Sequence, residues 1–258
     1  MDVYFGVNCR NPIEIKIIKE VQPKCIMLSF YYWHKKDLHK LIDKIGYKPK
    51  IMLDSGGYSG KLDPIYYIDY IKEYFDVIDY YIAPDYLPPG INIDNEITVE
   101  RNSQLFMLFE DYELPPPIPV FHYGEDKSII KTYLKDFNCP YIAIGNTVGK
   151  IHYTKLKDWI NDLINDYLID FHLLGSTGKT IINGCPLLKS CDSTTWIQNA
   201  KKYGKPKHLN NIKERAIFQM KMIESEYDKE YTSIIETEKR KRKLQKEYKK
   251  NKNKISLF

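Results

Sequence analysis

The sequence predicts an α/β chain folded as one (β/α)8 TIM barrel, followed by a long basic C-terminal helix. Three observations carry this expectation. Eight short apolar, β-branched or aromatic runs alternate with stretches of helical periodicity. Several of those runs are almost continuously apolar, as parallel strands covered on both faces are. The 258 residues are also close to the roughly 250 that eight β/α units use. A doubly wound open sheet is the competing arrangement.

The elements follow in order. Val3–Val7 reads as the first strand and Ile13–Val21 as its helix. Lys24–Phe30 leads to a helix over Lys36–Ile45. Lys50–Asp54 leads to Pro64–Ile78, where Asp63 supplies a capping carboxylate and Pro64 takes the first helical position. Tyr80–Pro84 precedes helical spacing over Ile97–Tyr112. The proline-rich run Pro115–Pro119 is a stiff lead-in to Ile118–His122, and Ser128–Phe137 follows. Tyr141–Gly145 precedes Tyr153–Leu168. Phe171–Gly175 is joined to Ser190–Ser193 by Lys179–Leu188, which has room for about two helical turns. From Leu209 to Tyr248 the pattern is one helix rich in Glu, Lys, Met and Ile, with no glycine or proline after Pro206. Residues 1–206 are therefore assigned to the barrel and 207–258 to a helical, basic extension.

Composition narrows the classes. Apolar residues make up 43% and charged residues 28%, enough for an ordinary core and surface. No run approaches the ~18 apolar residues of a spanning helix, and Met1–Arg10 lacks the layout of a signal peptide. No membrane association is expected, and the cytoplasm is the expected location. Cys9, Cys25, Cys139, Cys185 and Cys191 form no C-x-x-C pair, which fits reduced thiols and no thiolate zinc site.

Charge is uneven. Residues 201–258 hold 18 Lys/Arg and 8 Asp/Glu, while the first 200 are net acidic. Within Lys239–Lys254, ten basic residues face one acid, Glu247, and Lys239, Arg240, Lys241, Arg242, Lys243 and Lys246 form its densest part. Such a stripe favours a polyphosphate without reading its sequence. A solvated helix end is the plainer alternative.

Barrel chemistry sits where strands finish at the C-terminal face. Those positions are Asn8, Ser29, Asp54, Asp85, His122, Asn146, Ser176 and Asp192, three carboxylates and a histidine among them. A lone aspartate after a strand is usually a turn former or helix cap; three at one mouth exceed what packing needs. The sharpest local motif is Leu53-Asp54-Ser55-Gly56-Gly57-Tyr58, whose glycines allow close approach of a flat ligand and whose tyrosine offers a stacking face. A tight turn explains the glycines but not the aspartate. Gly175-Ser176-Thr177-Gly178-Lys179-Thr180 is half a P-loop: Leu173 stands where the motif needs glycine, so a compact turn is expected. No zinc-hydrolase or serine-hydrolase signature is present.

Taken together, these residues resemble the tRNA-guanine transglycosylases and their relatives that insert 7-deazaguanines into DNA. The similarity runs in order from about Lys50 to Trp196. The segment 53–58 is similar to the family's LDSGGFQ, and Asp79 with Asp85 to its paired aspartates. Pro119–Gly124 lies where the family has its fifth strand. Ala143-Ile144-Gly145-Asn146-Thr147-Val148-Gly149 resembles A-[VI]-G-G-x-x-V-G. His172–Gly175 and Ser190–Ser193 resemble its last two strand ends.

The resemblance implies a pentosyltransferase. Asp192 would attack C1′ of a guanosine nucleotide and form a glycosyl-aspartate, Asp54 would act as general acid/base, and Asp85 would bind the guanine edge. Ser55, Gly56, Gly57, Tyr58, His122, Gly145, Asn146 and Gly175 would line the pocket. It implies a 7-deazaguanine such as preQ0 as co-substrate, no other cofactor, nucleic acid as partner, a possible homodimer, and the cytoplasm of a bacterial or phage-infected cell. Departures shape the expectation. The family's C-x-C-x-x-C…H zinc subdomain is absent and a basic helix takes its place, which favours DNA over tRNA. Ser59 and His122 each replace a glutamine, and Asn146 replaces a glycine. Duplex DNA would have to flip its target base at a cost of a few kcal/mol. Two other functions fit the same residues: a nucleic-acid or nucleoside N-glycosidase, and a non-catalytic deazaguanine- or nucleotide-binding or interaction protein.

Overall fold

A computed structural model of the chain describes residues 1–8, 12–57, 62–84 and 95–229. Its strands are β1 (Asp2–Val7), β2 (Cys25–Ser29), β3 (Lys50–Asp54), β4 (Tyr80–Tyr81), β5 (Val120–His122), β6 (Tyr141–Gly145), β7 (Asp170–Leu173) and β8 (Ser190–Ser193). All pair in parallel, in the order β4-β3-β2-β1-β8-β7-β6-β5. A parallel bridge between Ile82 and Ile118 joins the two outer strands, so the sheet closes on itself. This is the (β/α)8 barrel that the alternation predicts, and the open sheet is excluded.

The helices are α1 (Pro12–Val21), α2 (Phe30–Trp33), α3 (Leu38–Ile45), α4 (Pro64–Glu73), α5 (Asn95–Asp111), α6 (Ser128–Lys135), α7 (Tyr153–Tyr167), α8 (Lys179–Gly184), α9 (Thr195–Lys201) and α10 (Ile212–Lys229). Asp63 caps α4 by accepting from the Ile65 N–H, with Pro64 in the first turn, as expected. Asp37 caps α3 in the same way, and Gly46 ends it at φ 79°, where a side chain is disfavoured. No helix among the described residues is long and apolar enough to cross a membrane.

Period-two alternation divides the strand side chains between two apolar layers. Phe5, Ile26, Leu28, Ile51, Leu53, Phe121, Ile142, Ile144, Phe171, Leu173 and Cys191 face the helices. Tyr4, Cys25, Met27, Met52, Ile82, Ile118, Val120 and Ala143 fill the ring. The Tyr67 hydroxyl donates to the carbonyls of Leu53 and Ile82 and so clamps α4 to the strands on either side of the β3–β4 pairing. The Trp196 indole N–H donates to the Gly6 carbonyl and ties α9 to β1.

Helix α10 is part of this body. Ala216, Met220 and Ile223 are buried in the outer core, and Lys213 pairs with Glu20 of α1. Position 206 therefore marks a change in composition while the core continues past it. The rest of the expected tail helix, with Lys239, Arg240, Lys241, Arg242, Lys243 and Lys246, lies outside the described residues.

Cys25, Cys139, Cys185 and Cys191 are buried, and no disulfide joins them among the described residues. Burial pushes the thiols of Cys25, Cys139 and Cys185 up to about 12, so little nucleophilic thiolate exists at neutral pH. We expect these four cysteines to resist Ellman's reagent at pH 8 in the native protein and to react fully in urea. Rapid labelling of all of them before unfolding would contradict this placement.

Candidate active site

Because every strand is parallel, the C-terminal strand ends open on one face. Asp54 ends β3, His122 ends β5 and Gly145 ends β6. Each shares the parity of ring-filling residues, Met52, Val120 and Ala143 respectively, so each is directed inward at that mouth. On β7 and β8, His172 registers with Ala143 and Ser190, and Asp192 is two residues further along.

Asp192 is the most constrained of these groups. It is 8% exposed. Its Oδ1 accepts from the Gly175 N–H at 2.8 Å and lies 3.2 Å from His172 Nε2. Among the described residues, no hydrogen bond falls on Oδ2. Gly175 has φ 71°, the left-handed region that lets its N–H turn back toward the carboxylate. One carboxylate oxygen is thus fixed by two donors while the other is left for a ligand. His172 is fully buried, with the edge of Tyr4 against its ring. Its Nδ1 meets Ser190 Oγ, which meets the Tyr141 hydroxyl.

A second buried pair stands on the far side of β6 from His172. Glu125 accepts from the His122 backbone N–H at 2.7 Å and from ring Nδ1 at 3.0 Å. Both carboxylate oxygens serve one histidine, which fixes the Nδ1–H tautomer and leaves Nε2 on the side of Gly145. The absence of a side chain at Gly145 is required there, since a Cβ would stand 2.9 Å from Val120 Cγ1 and 3.0 Å from His122 Cδ2. Asn146 has φ 55°, a conformation asparagine tolerates better than most residues, so it serves where the resembled family has glycine.

The loop after β3 is shaped by packing as well as by any ligand. Asp54 Oδ2 accepts from the Gly56 N–H at 3.1 Å, and Ser55 Oγ accepts from the Gly57 N–H at 3.3 Å. Gly56 combines φ 74° with close contact, since a Cβ there would lie 2.6 Å from Tyr31 Cβ. Tyr58, Ser59 and Asp85 lie outside the described residues. Asp79, the other member of the aspartate pair, accepts from the Ile51 N–H at 2.8 Å on the N-terminal side of the sheet and is structural. The turn from Gly175 into α8 is the compact one expected of half a P-loop.

Three polar atoms following β1, β6 and β7 are buried with no hydrogen-bond partner among the described residues: Asn8 Oδ1, Thr147 Oγ1 and Ser176 Oγ. A separate cleft of about 560 Å³ lies outside the ring between α2 and α4, lined by Tyr31, His34, Asp63, Tyr66 and Tyr70. It reaches Ser55 and Gly56 but not Asp192 or His122, so the chemistry is assigned to the barrel mouth. No group of three His, Cys, Asp or Glu residues suited to a metal ion occurs among the described residues.

Sequence reasoning missed Glu125, and it treated His172 and Ser190 only as parts of motifs. Period-two counting back from Asp192 and Leu174 places Ser190 and His172 inward, and an acid three residues after His122 is within reach across a tight turn. Those were the available signals.

No family model matches the chain, and no curated protein does. Solved structures do. The tryptophan synthase alpha chain from Legionella pneumophila subsp. pneumophila superposes with a TM-score of 0.55 at 9% identity, covering 90% of this chain and 92% of that one. A 2,3-dimethylmalate lyase, a PEP mutase/isocitrate lyase superfamily member, gives 0.47 at 10% identity, covering 87% and 90%. KGPDC from Streptococcus mutans gives 0.44 at 11%, covering 86% and 98%. The first likeness agrees with the (β/α)8 architecture, and at these identities the comparisons speak to fold alone.

The contact at Gly145 is testable. Gly145→Ala is expected to lower stability by about 1–3 kcal/mol through overpacking against Val120 and His122, read by urea unfolding. Asn146→Gly, at a left-handed position, should change it far less. Equal effects from the two substitutions would refute the assigned close approach.

Proposed function

We propose that the chain is a pentosyltransferase that exchanges guanine in a nucleic acid, DNA in preference to tRNA, for a 7-deazaguanine such as preQ0. The observation that supports this reading best is Asp192. A carboxylate with one oxygen anchored by two N–H groups and the other open suits a nucleophile that must form and then release a glycosyl ester. The resemblance to the transglycosylases supplies the substrate class.

In the first step Oδ2 bonds to C1′ as the C1′–N9 bond breaks, and the departing guanine takes a proton from a general acid. In the second, the corresponding nitrogen of the 7-deazaguanine attacks C1′ and gives its proton to the same group acting as base. The electron pair of the C1′–O bond returns to Asp192. Two inversions retain the anomeric configuration. Throughout, Oδ1 keeps the Gly175 and His172 donors, which stabilise the carboxylate before attack and polarise the ester afterwards. Asp54 takes the acid/base role and Asp85 the base edge. His122, aligned by Glu125, takes the place of the family's base-reading glutamine. The unpaired Asn8, Thr147 and Ser176 atoms suit a polar ligand at the same mouth.

Protein incubated with guanine-containing DNA and preQ0 should yield the deazaguanine nucleoside on digestion and mass spectrometry. Asp192→Asn should reduce exchange at least about a thousandfold. No exchange by wild-type protein that binds the DNA would overturn the proposal, and guanine release without added deazapurine would assign the hydrolytic alternative instead.

The basic tail gives an independent test. Removing residues 239–258 should weaken DNA binding most at low salt, and each lost phosphate contact should flatten the log–log salt slope by about 0.9. An unchanged slope would remove the tail from the interface.

A further inference from the structure

The polar groups of β6, β7 and β8 form one continuous hydrogen-bonded line through the barrel interior: Tyr141 hydroxyl, Ser190 Oγ, His172 Nδ1, His172 Nε2, Asp192 Oδ1. We propose that this line makes His172 a positioning residue for Asp192, with Ser190 and Tyr141 fixing the tautomer that points an N–H at the carboxylate. The inference rests on the base-exchange reading, because it gives a role in that chemistry to residues which do not touch substrate.

Proton counting sets the direction of the line. An ionised Asp192 only accepts, so His172 Nε2 carries hydrogen. In a neutral imidazole Nδ1 then accepts, Ser190 donates to it, and Ser190 Oγ accepts from the Tyr141 O–H. Every donor has an acceptor and no proton is left over. If Nδ1 carried hydrogen instead, Ser190 Oγ would accept from both Nδ1–H and the Tyr141 O–H, and the serine proton would have no acceptor among the described residues. The fully paired arrangement is therefore the one with hydrogen on Nε2 and an accepting Nδ1.

The surroundings agree. His172 is faced by Tyr4, Ser190 and Asp192. Around Tyr141 stand Tyr80, Asp170 and Asp2, with Asp2 held by Lys50 at 2.8 Å. Burial, the first cause, pushes the Tyr141 hydroxyl well above its ordinary range, so it stays a donor. Tyr4 is likewise held protonated by burial.

The consequence for catalysis is geometric. Gly175 alone fixes one point of the carboxylate, whereas a second donor on the same oxygen, from the His172 ring inside the barrel, stops rotation about the bond carrying it. Oδ2 is then presented to C1′ in one orientation.

Long-range ¹⁵N–¹H spectra of histidine-labelled full-length protein at neutral pH should show His172, assigned by its loss in His172→Gln, as the Nε2–H tautomer. Ser190→Ala should give a tautomer mixture and lower kcat about tenfold with KM unchanged, and His172→Leu should lower kcat about a hundredfold. His172→Gln, which keeps an N–H donor, should recover part of that loss. A His172 that is Nδ1–H or a tautomer mixture in wild-type protein, or a Ser190→Ala protein with wild-type kcat and a mixed tautomer, would overturn the inference while leaving base exchange standing. A fixed Nε2–H tautomer in wild-type protein that exchanges no base would overturn the base-exchange reading, and this inference with it.

Discussion

A carboxylate inside a ring of eight strands has to be held by donors, because burying an uncompensated charge costs more than a domain's net stability can tolerate. In this protein the donors are the Gly175 N–H and the His172 ring, and their placement constrains much else. Gly175 must adopt a left-handed conformation. His172 must lie inward in register with Ser190. The small residues Ala143 and Gly145 on the neighbouring strand leave space for the two buried histidines that flank it. The apolar filling of Met27, Met52, Ile118 and Val120 occupies the rest of the interior, so polar groups gather along one side of the ring and at its mouth.

The two histidines are treated differently by their surroundings. His122 receives an acid on Nδ1, which leaves Nε2 as the nitrogen directed away from Glu125. His172 receives a hydroxyl on Nδ1 and faces the acid with Nε2. The same side chain therefore presents opposite tautomers at two points of one barrel. The difference comes from which partner the adjacent residues supply, and not from exposure, since both rings are buried.

The fold was largely legible in the sequence because burial on both faces writes parallel strands as apolar runs. The bounds of β3, β6 and β8 agree with those read from the sequence. Where reading and structure part, the cause is local. Phe30 closes the second apolar run by composition, yet after Ser29 the chain turns at once into α2, which buries Phe30 and Trp33. Ile118 pairs with Ile82 only through a bridge, so β4 and β5 are shorter than their apolar runs. Helix α9 is only seven residues long, too short for its helical period to stand out after β8. Of the site, Asp192 and Asp54 were legible from position alone. The His122–Glu125 and His172–Ser190 pairings were not, because a histidine's partner is set by turn geometry and strand register, which a residue string does not display.

The neighbour of β1 on one side is β2, which begins at Cys25 after a single helix, and on the other it is β8, which begins at Ser190. As the polypeptide leaves the ribosome, β1 therefore keeps one open edge until nearly two hundred residues have been made. An unpaired strand edge is a template for unwanted association. The Lys50–Asp2 pair holds β1 from the β2–β3 side early in synthesis, and the Trp196 contact to Gly6 ties it to the β8 side late. Maturation of the Asp192 centre thus coincides with sealing of the barrel, so nascent chains reach that state only as their last strand docks.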